Sequence, residues 1–210
     1  MATNIDTAIT ELCEAGARAL HRYATVSGED PSTLPEYFMS AFIFNDIGDR
    51  ITLTLETPFS KLSEWNNDGR RRLGLPPQSQ EETEALLKLA EDIGAPRVDM
   101  VMFTGEDGIP KDEQNFLALV EFKRWDIERG GDRSKILRIL RHIDTCNYGV
   151  ACGFARDDHV EWQKEKAQEC RDFWCQREMP PLVDEPKYFF CARVFDRSAA
   201  DGITDPKIVT

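Results

Sequence analysis

Apolar residues recur at Ile5, Ala8, Ile9, Leu12, Ala19, Leu20 and Tyr23, a spacing that gathers them on one side of an α-helix. The spacing predicts an amphipathic helix over residues 4 to 24, followed by the turn-rich stretch SGEDPSTLP. A second helix is expected to begin near Pro35, whose fixed φ suits a first helical position, with Glu36 in its first turn. From Ile51 to Glu56 the pattern changes to strict alternation with β-branched residues, a strand with Pro58 at its end. The polar run NNDGRRRLGLPP reads as a loop. Ser79 with Glu82 three residues later forms a capping-box signature, opening a helix that runs to Ile93 and stops at Gly94.

Two apolar runs, Arg97 to Phe103 and Phe116 to Trp125, flank the Gly-, Asp- and Pro-rich segment TGEDGIPKDEQN and predict an antiparallel hairpin. Ile136, Leu137, Ile139, Leu140 and Ile143 predict a helix over 134 to 143, and Tyr148 to Ala155 a buried strand. Asp158 with Glu161 suggests a capped helix reaching about Gln176, with Trp162 and Trp174 packing along it, and Tyr188 to Phe195 a last strand. Helices, a three-stranded meander, and then helix, strand, helix and strand describe an α/β protein with a mixed sheet covered by helices.

The chain has 210 residues, 41% of them hydrophobic, and four Trp, enough for one domain spanning 1 to 210 with a substantial core. Its tail, from about 197 to 210, is expected to be loose. The N-terminal MATNIDTAITELCEAG lacks a basic patch followed by an apolar run, and no segment approaches the roughly 18 apolar residues of a membrane span. A soluble, cytoplasmic protein is the expectation. The six Cys form no CxxC pair, which argues against zinc or a disulfide framework and for buried free thiols.

A net charge of −12 opposes indiscriminate binding to a phosphate backbone, which rests on Lys and Arg displacing counterions. Basic residues are nevertheless clustered. Arg70, Arg71 and Arg72 share one expected loop, where phosphate contact is their natural use and a solvated loop the simpler reading, and Arg133, Lys135, Arg138 and Arg141 crowd one helix.

Chemistry concentrates in the hairpin. In FLALVEFKRW the side chains alternate, so Glu121 and Lys123 share a face about 7 Å apart. Asp99, in RVDMVMF, belongs to the neighbouring strand about 5 Å away, so a carboxylate from each strand can converge. Two acids on a mostly apolar sheet repel and are costly to desolvate, which calls for a cation. Hard oxygen donors suit Mg²⁺ or Mn²⁺, and an adjacent Lys can orient water or stabilise charge developing on a phosphate.

Pro96-Arg97-Val98-Asp99, then Glu121-Phe122-Lys123 in an apolar strand, then a helix and the strand YGVACGF resemble the PD-(D/E)xK, or restriction-endonuclease-like, nuclease superfamily. The segment LPEYFMSAFIFNDIG resembles the helix that brings an acidic residue to the same site. The resemblance covers residues 34 to 156 and departs from the pattern in one respect: Asp99 follows Pro96 by three residues instead of one. It implies a restriction-endonuclease-like mixed β-sheet core flanked by α-helices. It also implies that Asp99 and Glu121 bind Mg²⁺ or Mn²⁺, Glu36 holds the metal or its water shell, and Lys123 assists the attacking water.

The function so implied is metal-dependent hydrolysis of phosphodiester bonds, in DNA more than RNA, in repair, restriction or defence. The acidic chain would need a protein partner for delivery, and cutting both strands of a duplex would suit a homodimer. The alternative is a catalytically inactive module of the same fold whose acidic surface binds a protein. A PLP or nucleotide enzyme finds no support, for the sequence lacks a Gly-rich phosphate loop.

Simpler readings exist for each residue. Asp99 is alternatively a hydrogen-bonded carboxylate beside Arg97, and Glu121 with Lys123 a same-face ion pair. Glu36 suits a helix N-terminus without any function. Glu56 reads as a solvated edge residue and a reserve candidate. His21, His142 and His159 fall on three predicted helices with no ligand spacing.

Overall fold

The computed structural model of the protein describes residues 4–104, 116–123, 131–169, 173–179 and 187–197. Helix α1 (Ile5–Ser27) starts where the Asn4 side chain accepts the Thr7 N–H at 2.8 Å, and stops at Gly28, whose φ of 69° a Cβ would disfavour. Helix α2 (Glu36–Ile47) follows Pro35, which caps it from an extended backbone. Then come β1 (Leu53–Pro58), α3 (Phe59–Arg72), α4 (Gln80–Ile93), β2 (Arg97–Phe103), β3 (Phe116–Lys123), α5 (Gly131–His142), β4 (Tyr148–Arg156), α6 (Asp157–Glu169), β5 (Phe173–Glu178) and β6 (Tyr188–Asp196). The capping box of α4 is present as expected, with Ser79 and Glu82 bonded reciprocally.

The strands form one six-stranded mixed sheet in the order β1-β2-β3-β4-β6-β5, in which only β3 and β4 run parallel. Strands β1, β2 and β3 pair antiparallel in chain order, and the β2–β3 hairpin is the pairing that the turn-rich connection predicted. Each face of the sheet carries its own apolar layer. Leu12, Met39 and Ile43 of α1 and α2 pack with Met100, Val120 and Val150, while Leu62, Leu86, Ile136 and Leu140 of α3, α4 and α5 pack with Val101, Leu119 and Ala151. Alternate residues of the central strands therefore point into opposite cores, which is why their sequences read as unbroken apolar runs. At Gly16 helix α1 lies so close to β6 that a Cβ would run into the Phe190 ring.

Two elements differ from the sequence expectation. The run NNDGRRRLGLPP is not all loop, because α3 continues to Arg72. Asn66 and Arg70 face the protein, while Arg71 and Arg72 are exposed. Asn66 is fully buried, its Oδ1 accepting the Thr145 N–H at 3.1 Å and the Thr145 hydroxyl at 2.8 Å, and Arg70 meets Asp144 at 2.6 Å. Distant partners replace the water that such a composition usually seeks. The Arg70–Arg72 triplet is thus the last turn of a helix instead of a loop, with Arg71 and Arg72 solvated as expected.

The second difference lies near residue 173. Helix α6 ends at Glu169, Asp158 lies inside it instead of capping it, and Phe173–Glu178 is a strand paired with β6, Trp174 opposite Arg193. Trp162 and Trp174 thus sit on different elements. A strand at a sheet edge is decided by a partner remote in sequence, which a local helical pattern cannot register. The expected strand end at Arg124-Trp125, residues 105–115 of the hairpin loop, Cys170, the side chain of Arg133 and the tail beyond Arg197 lie outside the described residues. Among the described residues no helix is long and apolar enough to cross a membrane.

Because Asn66 joins α3 to the segment after α5, Asn66→Ala should leave the Thr145 N–H and hydroxyl in the core without their acceptor. A loss of about 2 kcal/mol in chemical denaturation is expected; a change within error would mean that this contact does not hold α3 in place.

Candidate active site

The open end of the meander is built by three elements. Strand β1 pairs with β2 through Leu55↔Met100 and Thr57↔Val98, so Glu56 occupies the position opposite Asp99, where the regular pairing lapses. Glu56 has a φ of 49°, in the left-handed region, which costs a non-Gly residue about 1–2 kcal/mol. Above this irregularity lies the N-terminus of α2, held down by Met39, Ile43 and Ile47. Between them opens a cavity of about 440 Å³ lined by Pro35, Glu36, Tyr37, Ser40, Glu56 and Asp99. Two expected site residues, Asp99 and Glu36, therefore share one cavity, and Glu56 joins them although it is as exposed as its edge position suggested.

Asp99 is half-buried, and its Oδ2 accepts the backbone N–H of Phe122 at 2.7 Å. Burial pushes its carboxyl above the ordinary value, the Phe122 N–H and the charges of Lys135 and Lys123 oppose the rise, and Glu36 adds to it. A carboxylate held at some electrostatic cost beside a second acid is relieved by any cation that enters the cavity.

Glu121 is placed differently. It lies on the face of the sheet that carries α5, in register with Ala151, and is only 2% exposed. There its Oε2 takes a hydrogen bond of 2.6 Å from Lys135 Nζ, itself 12% exposed, which also reaches the Arg97 carbonyl at 3.4 Å. Lys123, at the end of β3, is half-buried and close enough for its charge to act on Asp99. Glu36, Asp99, Glu121 and Lys123 are all gathered at the same end of the meander. Among the described residues, the cavity wall includes Glu36 and Asp99 but neither Glu121 nor Lys123. Asp99 bonds to the Phe122 backbone in preference to Arg97, which is exposed.

Glu36, Glu56 and Asp99 line the cavity with carboxylate oxygens, the donor class preferred by Mg²⁺ and Mn²⁺. Among the described residues no group of three or more His, Cys, Asp or Glu is close enough to enclose a metal ion. Mg²⁺ does not demand such a cage, for it retains several waters and is commonly held by one or two carboxylates together with a substrate phosphate. The donors present fit that mode.

No known relative decides the matter. No protein-family model, curated protein or solved structure matches the chain. The site must be judged on its own residues, of which the sequence did not connect Lys135 to Glu121 and offered Glu56 only as a reserve candidate. Lys135 carried a signal only as part of a basic cluster on α5, because nothing local connects it to Glu121. Glu56 could be placed opposite Asp99 only once the β1–β2 register was known. His21, His142 and His159 do fall on three different helices, α1, α5 and α6.

Two expectations follow for this site. An unfolded chain ionises Asp99 before the folded one does, so folding stability is lost as pH rises from the ordinary carboxylate value through the raised folded value. Asp99→Asn should therefore be more stable than the parent at neutral pH, an advantage that vanishes below about pH 4. Urea titrations across this range would show it, and a constant difference at all pH values would contradict it. Lys135→Met removes the ammonium group that bonds the buried Glu121 carboxylate and should cost about 3 kcal/mol or more, most of it recovered in the Glu121→Leu, Lys135→Met double variant.

Proposed function

We infer that the protein is a Mg²⁺- or Mn²⁺-dependent nuclease with a restriction-endonuclease-like core, hydrolysing phosphodiester bonds in DNA in preference to RNA. The observation that carries this reading is the meeting of Asp99 from β2 and Glu36 from α2 in one cavity, within reach of the Lys123 charge. The succession of α2, the meander β1–β3, α5 and β4 agrees with the order that the PD-(D/E)xK resemblance implies.

In this reading Asp99 and Glu36 present oxygen ligands on the cavity wall, and Glu121 supports them from the opposite face. A bound divalent cation supplies Lewis-acid polarisation of a phosphoryl oxygen and lowers the pKa of its water. Lys123 orients the attacking water or offsets charge developing on the phosphate. Lys135 fixes the Glu121 carboxylate in one orientation and adds positive charge behind the site. The net charge of −12 keeps intrinsic affinity for nucleic acid low and assigns delivery to a protein partner. Two copies of the chain would place one site on each strand of a duplex. A cytoplasmic role in repair, restriction or defence against foreign DNA fits such a domain.

One observation favours a second reading. The Lys135–Glu121 pair already neutralises an acid that a metal would otherwise need, as expected of a catalytically inactive module that uses its acidic surface to bind a protein.

The deciding experiment exposes the purified chain to supercoiled plasmid, linear duplex, single-stranded DNA and RNA with Mg²⁺, Mn²⁺ or EDTA, beside Asp99→Asn and Lys123→Ala. Cleavage that requires the metal and falls by roughly a hundredfold or more in both variants is expected. If no substrate is cut, and calorimetry finds no Mn²⁺ binding that depends on Asp99 and Glu36, the catalytic reading is overturned and the interaction module stands.

A further inference from the structure

The two faces of the sheet carry charge of opposite sign. The cavity beside α2 is lined by the acids Glu36, Glu56 and Asp99, whereas on the face covered by α4 and α5 a cleft of about 400 Å³ opens between those two helices. Lys88 and Asp92 of α4 and Arg138, Arg141 and His142 of α5 line it. Among the described residues its wall thus sets three cations, Lys88, Arg138 and Arg141, against one acid, in a chain whose net charge is −12. Arg138 Nη2 stands 4.0 Å from Asp92 Oδ2, beyond hydrogen-bonding distance, with the two side chains 31% and 53% exposed. A pair so long and so open to water is held weakly.

Both walls of the cleft are fixed. Ile136, Ile139 and Leu140 anchor α5, and Leu86 and Ala90 anchor α4, in one apolar layer. Gln78 Nε2 donates to the His142 carbonyl at 2.7 Å and ties down the last turn of α5. Lys135, Arg138 and His142 follow one another at helical spacing, so the basic side of α5 runs for about 10 Å, from the Glu121 carboxylate to the cleft. The helix dipole favours Arg141 and His142 in the last turn of α5, but it accounts neither for Arg138 nor for Lys88, which comes from a different helix.

Cations gathered about one cleft repel each other, and an anion that enters relieves them. Guanidinium N–H groups pair with two oxygens of a phosphate at once, and an ammonium group adds a point charge. A fixed row of cations calls for an anion with repeated charges, and each strand of duplex DNA carries one about every 3.4 Å of its axis.

We propose that the α4–α5 cleft binds the phosphodiester backbone of a nucleic-acid strand, with Lys88, Arg138 and Arg141 on its phosphates. The choice of nucleic acid as the occupant rests on the nuclease reading, but the cleft uses none of the acids of the cavity. Phosphate contacts fix register and carry no sequence information, so the cleft holds a strand without choosing it. Three such contacts on a chain of net charge −12 hold the strand weakly, in keeping with delivery by a partner.

The test is fluorescence anisotropy of a labelled single-stranded oligonucleotide with the full chain in EDTA, where binding is read without cleavage. Binding at low salt is expected, with log Kd rising against log salt at a slope of about 2 for three contacts. Lys88→Gln and Arg138→Gln should each weaken binding at least roughly threefold and lower the slope by about 0.7. Arg22→Gln, the same change of charge at an exposed position of α1 across the sheet, and Asp99→Asn should not weaken it. Unlabelled DNA should displace the probe, while polyglutamate of equal charge and inorganic phosphate of equal phosphate concentration should not. The proposal is overturned if no binding is detected at low salt, if both cleft variants bind like the parent, or if polyglutamate or inorganic phosphate displaces the probe as well as DNA does, which would assign the cleft to an acidic protein segment or to free phosphate. A chain that binds through the cleft yet cuts nothing contradicts the nuclease reading alone; one that cuts, with binding unchanged in the cleft variants, contradicts the cleft alone.

Discussion

The structure depends on a sheet whose central strands are buried on both faces. Apart from Lys123, every residue of β3 is buried, and β4 is closed from Gly149 to Ala155. Water cannot solvate a polar group in such strands, so each one must find a partner within the protein or remain at the margin of the sheet. The two acids of the β2–β3 hairpin obey this constraint by different routes. Asp99 sits where the β1–β2 pairing lapses, keeps one oxygen on the Phe122 N–H and borders a cavity. Glu121 is fully enclosed and takes the ammonium group that α5 supplies.

A buried ion pair such as Glu121–Lys135 contributes little net stability over an apolar replacement, because desolvation offsets most of the attraction. Its presence requires another account than stability. A carboxylate paired with a lysine in the core, at the end of the strand beside the one that carries Asp99, is an arrangement that costs the fold something. The left-handed backbone of Glu56 belongs to the same account, for it is a local strain at the mouth of the same cavity. The strain at Glu56 and the buried Glu121–Lys135 pair lie at the same end of the sheet, where the candidate chemistry lies.

Legibility in the sequence followed the range of the interactions involved. The α4 capping box could be read because Ser79 and Glu82 satisfy one another within a single turn. The β2–β3 hairpin was visible in two apolar runs and a turn-rich connection. Helix α3 was hidden in part because Asn66 and Arg70 answer to Thr145 and Asp144, more than 70 residues away. Strand β5 was hidden because its pairing with β6 outweighs the helical appearance of the segment before it. Within the site, alternation placed Glu121 and Lys123 on one face, yet could not show that α5 would bring Lys135 to that face.

The sequence by itself determined the alternation of helices and strands, the apolar centre of the sheet and the placing of Asp99, Glu121 and Lys123 on neighbouring strands, since these follow from periodicity and local backbone chemistry. Tertiary structure alone decided which acids line the cavity, which lysine pairs with Glu121, and that Glu56 stands opposite Asp99. Those outcomes are set by register and by the packing of helices across the sheet. Both are fixed by contacts between distant residues, whose geometry no local pattern contains.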